Sequence, residues 1–466
     1  MGGRVSVYRQ IESVAVVVSM MVAALGLVAS AASAATTVTD WTDLVSAVAS
    51  GGTVQLGADI TAPSGDRLAV GDTPATLDLN GFSLSVTGPG TFFASVGVPA
   101  GDSLTIEDTS TGTPGTLTAT GGMSGAGIGG DAGGDGGTVT IDGGSVNATG
   151  GTLSAGVGGG EGSGNGGAGG SVSVTGGTIA ATGGQFAAGI GGAHAGGSHN
   201  NGGAGGSLSV SGGTVRATGG FEAPGIGGGE GGATGGAGGT VTVSGGAVTA
   251  TGGNGGVGIG GGDCFCEAIG GSGAAITIDS GGEVTASGGG TFALGGGLSE
   301  EQLGGFGSLS NAGKLVIPSG ADLMLPSGVS VQNQSTGTMV VQGVLDGFGT
   351  VENTGAIVAS GTVASHGEGD GSTSLLVEPD NYALSFDVNG GSGTAPAAMF
   401  VCAPTVSASG QSLPAAATPP AGAAFTGWFT ARSGGTRVDA ATDLHALAGD
   451  GPASVTLFAH TPRRSA

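Results

Sequence analysis

The first candidates for chemistry in this chain lie between positions 131 and 267. They are the carboxylates of Asp131, Asp135, Glu161, Glu230, Asp263 and Glu267, the imidazoles of His194 and His199, and the thiols of Cys264 and Cys266. Carboxylates gathered in one groove could act as acid and base on a polysaccharide. Two histidines five residues apart, in AHAGGSHNN, could share a metal, but no third ligand recurs beside them. Cys264-Phe265-Cys266 could close a small strained ring or hold a soft metal; with Cys402 the chain has three cysteines, which is no disulfide framework. Two incidental loop thiols or a local disulfide is the expectation. Calcium is suggested by the acidic, Gly-rich stretches 129–137 and 159–167, yet both lack the regularly placed Asp of the calcium-binding nonapeptide. No Ser-His-Asp set appears, and no phosphate-binding loop with its basic residue and following helix.

These residues are set in a repeating frame. A first phrase reads TVTIDGG (138–144), SVSVTGG (171–177), SLSVSGG (207–213), TVTVSGG (240–246) and AITIDSGG (275–282), with SLTIED (103–108) as a degenerate first copy. A second follows, as in SVNATGG (145–151) and TIAATGG (178–184), and then a third, AGIGG (126–130 and 188–192) or a close variant. Starting points at 103, 138, 171, 207, 240 and 275 give spacings of 33–36 residues, the mark of a stacked repeat. Apolar residues alternate within each phrase, which is the period of a half-buried strand. Gly-Gly pairs between phrases supply corners. The expected fold is all-β: a right-handed parallel β-helix, each repeat one coil, with Val and Ile stacked inside and Thr and Ser outside. Ten or eleven coils would span on the order of 50 Å.

Each copy ends in a Gly-rich tail such as 160–170. The acidic residues fall mostly in these tails. The expectation is that they occupy no shared coil position and are solvated loop charges. The hydroxyl pairs Thr138/Thr140, Ser171/Ser173, Ser207/Ser209 and Thr240/Thr242 should form a flat outer ladder, which could meet ice or sugar or could simply suit an exposed strand face. No catalytic, cofactor-binding or metal-binding residue is assigned.

Composition sets limits. The chain has 466 residues, 112 Gly and 16 Pro, a balance that ordinarily warns of disorder, but here the glycines keep register with Val and Ile. Nine Lys and Arg against 33 Asp and Glu give a net charge of −24, which excludes a basic nucleic-acid groove and suits an extracellular protein. Residues 1–34 read as a secretory signal: Arg4 and Arg9, an apolar run at 13–30, and Ala32-Ser33-Ala34 as the cleavage site. The rival reading is an uncleaved anchor; no later segment could span a bilayer.

Residues 35–102 form a cap and the first coils. Trp41, Leu44, Val45 and Val48 make one helix face behind an Asp40 N-cap, suited to covering the apolar end of the stack. This opening resembles the N-terminal cap of pectin-lyase-like β-helix proteins. The Gly-rich repeats run over 103–297 and further coils over 298–365. There Asn311, Asn333 and Asn353 recur at spacings of 22 and 20, which suggests a coil of about 21 residues with an Asn at an inner corner. The longer repeats then carry about 12–14 extra residues each, expected as mobile loops on one edge.

Residues 366–374 read as a linker, and 375–461 as a last module before a 462–466 tail. The stretch Phe386-Asp387-x-Asn389-Gly390-Gly391, the centre Phe425-x-Gly427-Trp428-Phe429, then Gly434-Gly435-Thr436 and Leu457-Phe458-Ala459 resemble the Listeria–Bacteroides repeat, or internalin B-repeat. The family usually closes with an aromatic where Thr461 stands, and 397–418 is longer than usual. The resemblance implies a β-grasp-like module without catalytic residues. Similar arrays in bacterial secreted proteins imply a cell-envelope or surface location. The expected function is therefore non-catalytic structural display or adhesion, with extracellular glycans, host components or cell-wall components as partners and no cofactor. The alternatives are a carbohydrate-active β-helix enzyme, marked by a carboxylate cluster in one groove, and ice or glycan binding on the Thr/Ser face.

Overall fold

The computed structural model describes residues 35–265, 269–290, 292–299, 303–359, 361–363, 376–378, 381–389, 395–402, 405–407, 412–415, 425–444, 447 and 453–460. The expected signal (1–34), linker (366–374) and tail (462–466) lie outside them, as do Cys266, Glu267, Gly390 and Gly391.

Alternation inside each phrase produces the strands. In Thr138–Ile141 the pattern places Val139 and Ile141 inside and Thr138 and Thr140 outward. Each strand pairs in parallel with its counterpart one coil away, giving a first sheet of 13 strands from Thr36–Val38 to Leu376–Glu378. Ile106, Ile141, Val174, Val210, Val243 and Ile278 stand one above another in that sheet, each fully buried. Every such side chain stabilises the stack by roughly 1.5–3 kcal/mol. The second phrases build a second parallel sheet, and six Ile-Gly or Val-Gly pairs, flanked by Leu68–Ala69 and Leu294–Gly295, a third sheet of eight two-residue strands. The result is an all-β, parallel β-helix-like solenoid around one continuous core.

The helix Trp41–Ser50 begins at Asp40, whose side chain accepts the Asp43 amide at 3.1 Å. Leu44 and Val48 are wholly buried on the end of the core, so the helix covers it as expected. At 311, 333 and 353 the inner corner carries the asparagine ladder. Asn311 Nδ2 donates to Asn333 Oδ1, and Asn333 Nδ2 to Asn353 Oδ1, both at 2.7 Å. All three are fully buried.

The tails depart from expectation. They are not mobile loops on an edge, because their necks run inside the stack as a glycine ladder. Gly160 donates to the Gly134 carbonyl, Gly167 to Gly160, Ala193 to Gly167, Gly203 to Ala193, and Gly229 to Gly203, at 2.8–3.0 Å. The zigzag continues through Gly236, Gly262, Gly271 and Gly297 to Gly304. Outgoing and returning necks of successive coils thus alternate along the axis. A Cβ at Gly203 would strike the Gly167 carbonyl oxygen, and one at Gly236 the Gly203 oxygen. On the returning necks Gly167, Gly203, Gly236 and Gly271, glycine lets the backbones come this close; of the outgoing rungs one, Ala193, carries a methyl. In the returning GG-x-GG phrase the middle residue, as at Ala204 and Ala237, faces water. The tips, Ser163 to Asn165 and Gly197 to His199, are exposed.

The C-terminal module has its own core, with Tyr382, Phe386, Trp428 and Leu457 buried. Its strands lie in the order Ala398–Cys402, Asn381–Asp387, Ala453–His460, Gly427–Phe429, Arg437–Val438. The first and last strands in chain order run parallel at the centre and their other neighbours antiparallel, a β-grasp-like arrangement. Strand Ala398–Cys402 also pairs antiparallel with Ala356–Ala359 and so covers the open edge of the solenoid's second sheet. Leu376–Glu378 still belongs to the solenoid's first sheet.

Candidate functional site

The third phrase positions the site. In each coil the Ile-Gly-Gly or Val-Gly-Gly ends a two-residue strand, and the chain turns into its tail two residues later. That position is Ala132, Glu161, His194, Glu230 and Asp263 in successive coils. The amide just after it donates to the same position one coil on: Gly133 to Glu161 O, Ala195 to Glu230 O and Gly231 to Asp263 O, at 2.7–3.1 Å. Glu161, His194, Glu230 and Asp263 therefore form one column along the axis, with successive residues about 4.8 Å apart. This corrects the expectation that the acids share no coil position.

A corner of the second sheet covers the column. Phe186 and Glu222 occupy equivalent places there, both in the left-handed region at φ 62° and 53°, where the next coil has Gly255. Non-glycine residues held so cost on the order of 1–3 kcal/mol each. Phe186 O accepts the Glu230 amide at 2.9 Å. Its ring lies 5.5 Å from the His194 ring, 5.7 Å from Phe221 and 5.1 Å from Phe265. Phe221 and Phe265 are about half exposed, so the aromatic cover is the outer surface of this corner.

Under that cover the acids are not solvated, which corrects the second part of the expectation. Glu230 is 1 % exposed and Asp263 7 %. Burial, then the charges of Glu222 and Asp263, push the Glu230 carboxyl up to about 9. Burial pushes Asp263 up to about 7; the Leu298 amide, donating at 2.6 Å, works against this and Glu222 works with it. Burial also raises Glu222. His194 is shifted down by burial, against the pull of Glu161. Glu230 Oε2 and His194 Nδ1 are buried without a hydrogen-bond partner.

The column opens at its other end. Beside Glu161 lies a cleft of about 800 Å3 whose walls include Phe92, Met123, Leu153, Ser163 and Asn165. Phe92 and Met123 are more than half exposed there.

The remaining candidates sit apart. Asp131 pairs with Arg67 at 2.5 Å and accepts the Ala94 amide, and Asp135 accepts the Ala168 amide at 2.7 Å. His199 is exposed and touches Ser198 Oγ at 3.0 Å; it does not meet His194 at a shared ligand position. Cys264 follows Asp263 and is buried with a free thiol; Cys266 lies outside the described residues. Among the described residues no group of three or more His, Cys, Asp or Glu is arranged to hold a metal ion. The hydroxyl pairs do line up, Thr138 on Ser171 on Ser207 on Thr240, with Ser207 Oγ 3.1 Å from Ser171 Oγ. Ala275 interrupts the row.

Sequence reasoning missed Phe186, Glu222 and the column itself. Aligning the copies on the third phrase would have found the column, since GVGGGE, GIGGAH, GIGGGE and GIGGGD put an ionisable residue at one offset. No helix among the described residues is long and apolar enough to cross a membrane. No protein-family model, curated protein or solved structure matches this chain.

Proposed function

We propose that this is an exported bacterial structural and adhesion protein, a non-catalytic β-helix stalk that displays a B-repeat-like module. The observation that carries the reading is the burial of the acids: Glu230 at 1 % and Asp263 at 7 % exposure lie inside the solenoid, with the Glu230 amide bonded to Phe186 O, rather than in an open groove. The rest of the chain is consistent with a load-bearing rod. Parallel ladders run through it, a helix covers one end and a module strand the other. The cleft beside Glu161 joins apolar surface to a carboxylate, a hydroxyl and an amide, which suits a neutral glycan. The sequence features at 1–34 and the −24 charge support export.

A carbohydrate-active enzyme is the second reading, favoured by the meeting of Glu222, Glu230 and Asp263 with raised pKa values. One experiment separates the two. Residues 35–466 are screened for binding to glycans and matrix proteins, and for turnover of pectin, chitin and peptidoglycan fragments. Binding without turnover is expected. Turnover that survives repurification and is lost in Glu230→Gln or Asp263→Asn would replace the adhesion reading with the enzymatic one.

A further inference from the structure

The column holds more buried acid than a static rod needs. Glu230 has an orphaned oxygen, and no cation faces it among the described residues. A buried carboxylate without a partner is costly as an anion and cheaper as a neutral acid. Among the described residues, these groups face it. From the covering corner comes Glu222, from the next coil Asp263, and from the preceding coil His194, itself faced by Glu161. None is a Lys or Arg. The corner above is built under strain, with Phe186 and Glu222 both at positive φ. Its outer rings, Phe221 and Phe265, already stand half in water.

We infer that this corner is a proton-held latch: protonated, Glu230 and Asp263 keep the aromatic cover closed, and their ionisation opens it. The latch works on the solenoid's stability as well as on the cover. An acid raised in the folded state binds its proton more tightly there than in the unfolded chain. Stability is then fully present below the ordinary carboxylate pKa and is lost as pH rises through the folded values, about 7 for Asp263 and about 9 for Glu230. His194, shifted down, acts the other way and only below its ordinary value of 6.5. The folded chain should therefore tolerate mild acid better than mild alkali, the reverse of ordinary acid denaturation. When the cover opens, Glu222, Glu230 and Asp263 reach water as a cluster of negative charge.

Thermal unfolding of the intact chain between pH 5 and pH 8 tests this, together with amide exchange by mass spectrometry corrected for the intrinsic pH effect. The midpoint should fall by about 5 °C or more from pH 5 to pH 8. Exchange should quicken over 184–195 and 220–232 at pH 8 while 338–358 stays unchanged. Glu230→Gln keeps the shape and cannot ionise, so it should remove most of both effects; Asp263→Asn, which keeps an acceptor for the Leu298 amide, should remove the part near pH 7. A midpoint that is flat or rises from pH 5 to pH 8, exchange that quickens equally in 338–358, or a full pH response in Glu230→Gln would each overturn the latch. Should Glu230→Gln fail to fold, the wild-type exchange pattern and Asp263→Asn decide the matter alone.

Discussion

Two stretches of one solenoid solve the same problem differently. The coils between 138 and 297 take 33–36 residues each; the coils carrying Asn311, Asn333 and Asn353 take 20–22. Their first sheets are continuous, with Ile278 directly opposite Asn311. The short coils place a buried amide at the inner corner and bond it to the next coil. The long coils place Val or Ile there and send the chain out and back through the glycine ladder. The second sheet differs too. Inside, the long coils carry Ala148, Ala181, Ala217, Ala250 and Ala286, while the first two short ones carry Ile317 and Val341 and the third returns to Ala359. A coil with small side chains can still have a closed interior when extra backbone is packed close. The added residues are thus structure, and they also bring the ionisable column into being at the point where each tail begins.

The comparison breaks most visibly if a tail is removed. Replacing 160–168 by a three-residue link deletes the Gly160 and Gly167 rungs and should lower the unfolding midpoint by more than about 10 °C. Deleting the whole unit 171–206 joins Gly170 to Ser207 in register and should leave a folded, β-rich protein by circular dichroism. An equal loss from both would remove the distinction between a tail and a coil.

Smaller effects distinguish the two ladders. Gly203→Ala pushes a methyl against the Gly167 oxygen and should cost about 2–4 kcal/mol in chemical denaturation, whereas Ala237→Ser, facing water, should stay within about 0.5 kcal/mol. Asn333→Ala strips both ladder bonds and leaves amide groups of Asn311 and Asn353 buried, at about 2–3 kcal/mol. The mildest test lies at the junction. Asn311 Oδ1 has no partner, because Ile278 stands where a donor would be. Ile278→Asn should extend the ladder and be less destabilising than Ile141→Asn by about 1 kcal/mol.

Most of the fold was legible in the residues. Alternation in TVTI and SVSV set inside and outside, the fixed phrase spacing set the stacking, and the spaced asparagines pointed to a bonded inner corner. The C-terminal strands were legible as far as SFDV and TLFA, with Trp428 as a buried anchor. The tails were not. Glycine carries no side chain to show whether it faces water or another backbone, so GEGSGNGGAGG reads as a loop although its neck is buried. The same gap hid the site. Glu161, His194, Glu230 and Asp263 each stand 23 residues after the start of their coil's first phrase (138, 171, 207 and 240), but Asp131, Asp135 and Glu267 do not, and the shared position is lost when all the acids are counted together. Glu230 and Asp263 then looked like ordinary loop charges, because burial is a property of the covering Phe186, Phe221 and Phe265, which lie in other phrases or other coils.

The central claim is that the glycine necks are a hydrogen-bonded ladder inside the solenoid. Amide hydrogen exchange of the folded chain, resolved residue by residue, tests it most directly. The amides of Gly203, Gly229, Gly236 and Gly262 should be protected as strongly as those of Val174 and Val210 in the neighbouring strands, while those of Gly197 and His199 at a tail tip exchange fast. Neck glycines that exchange as fast as the tips would contradict it.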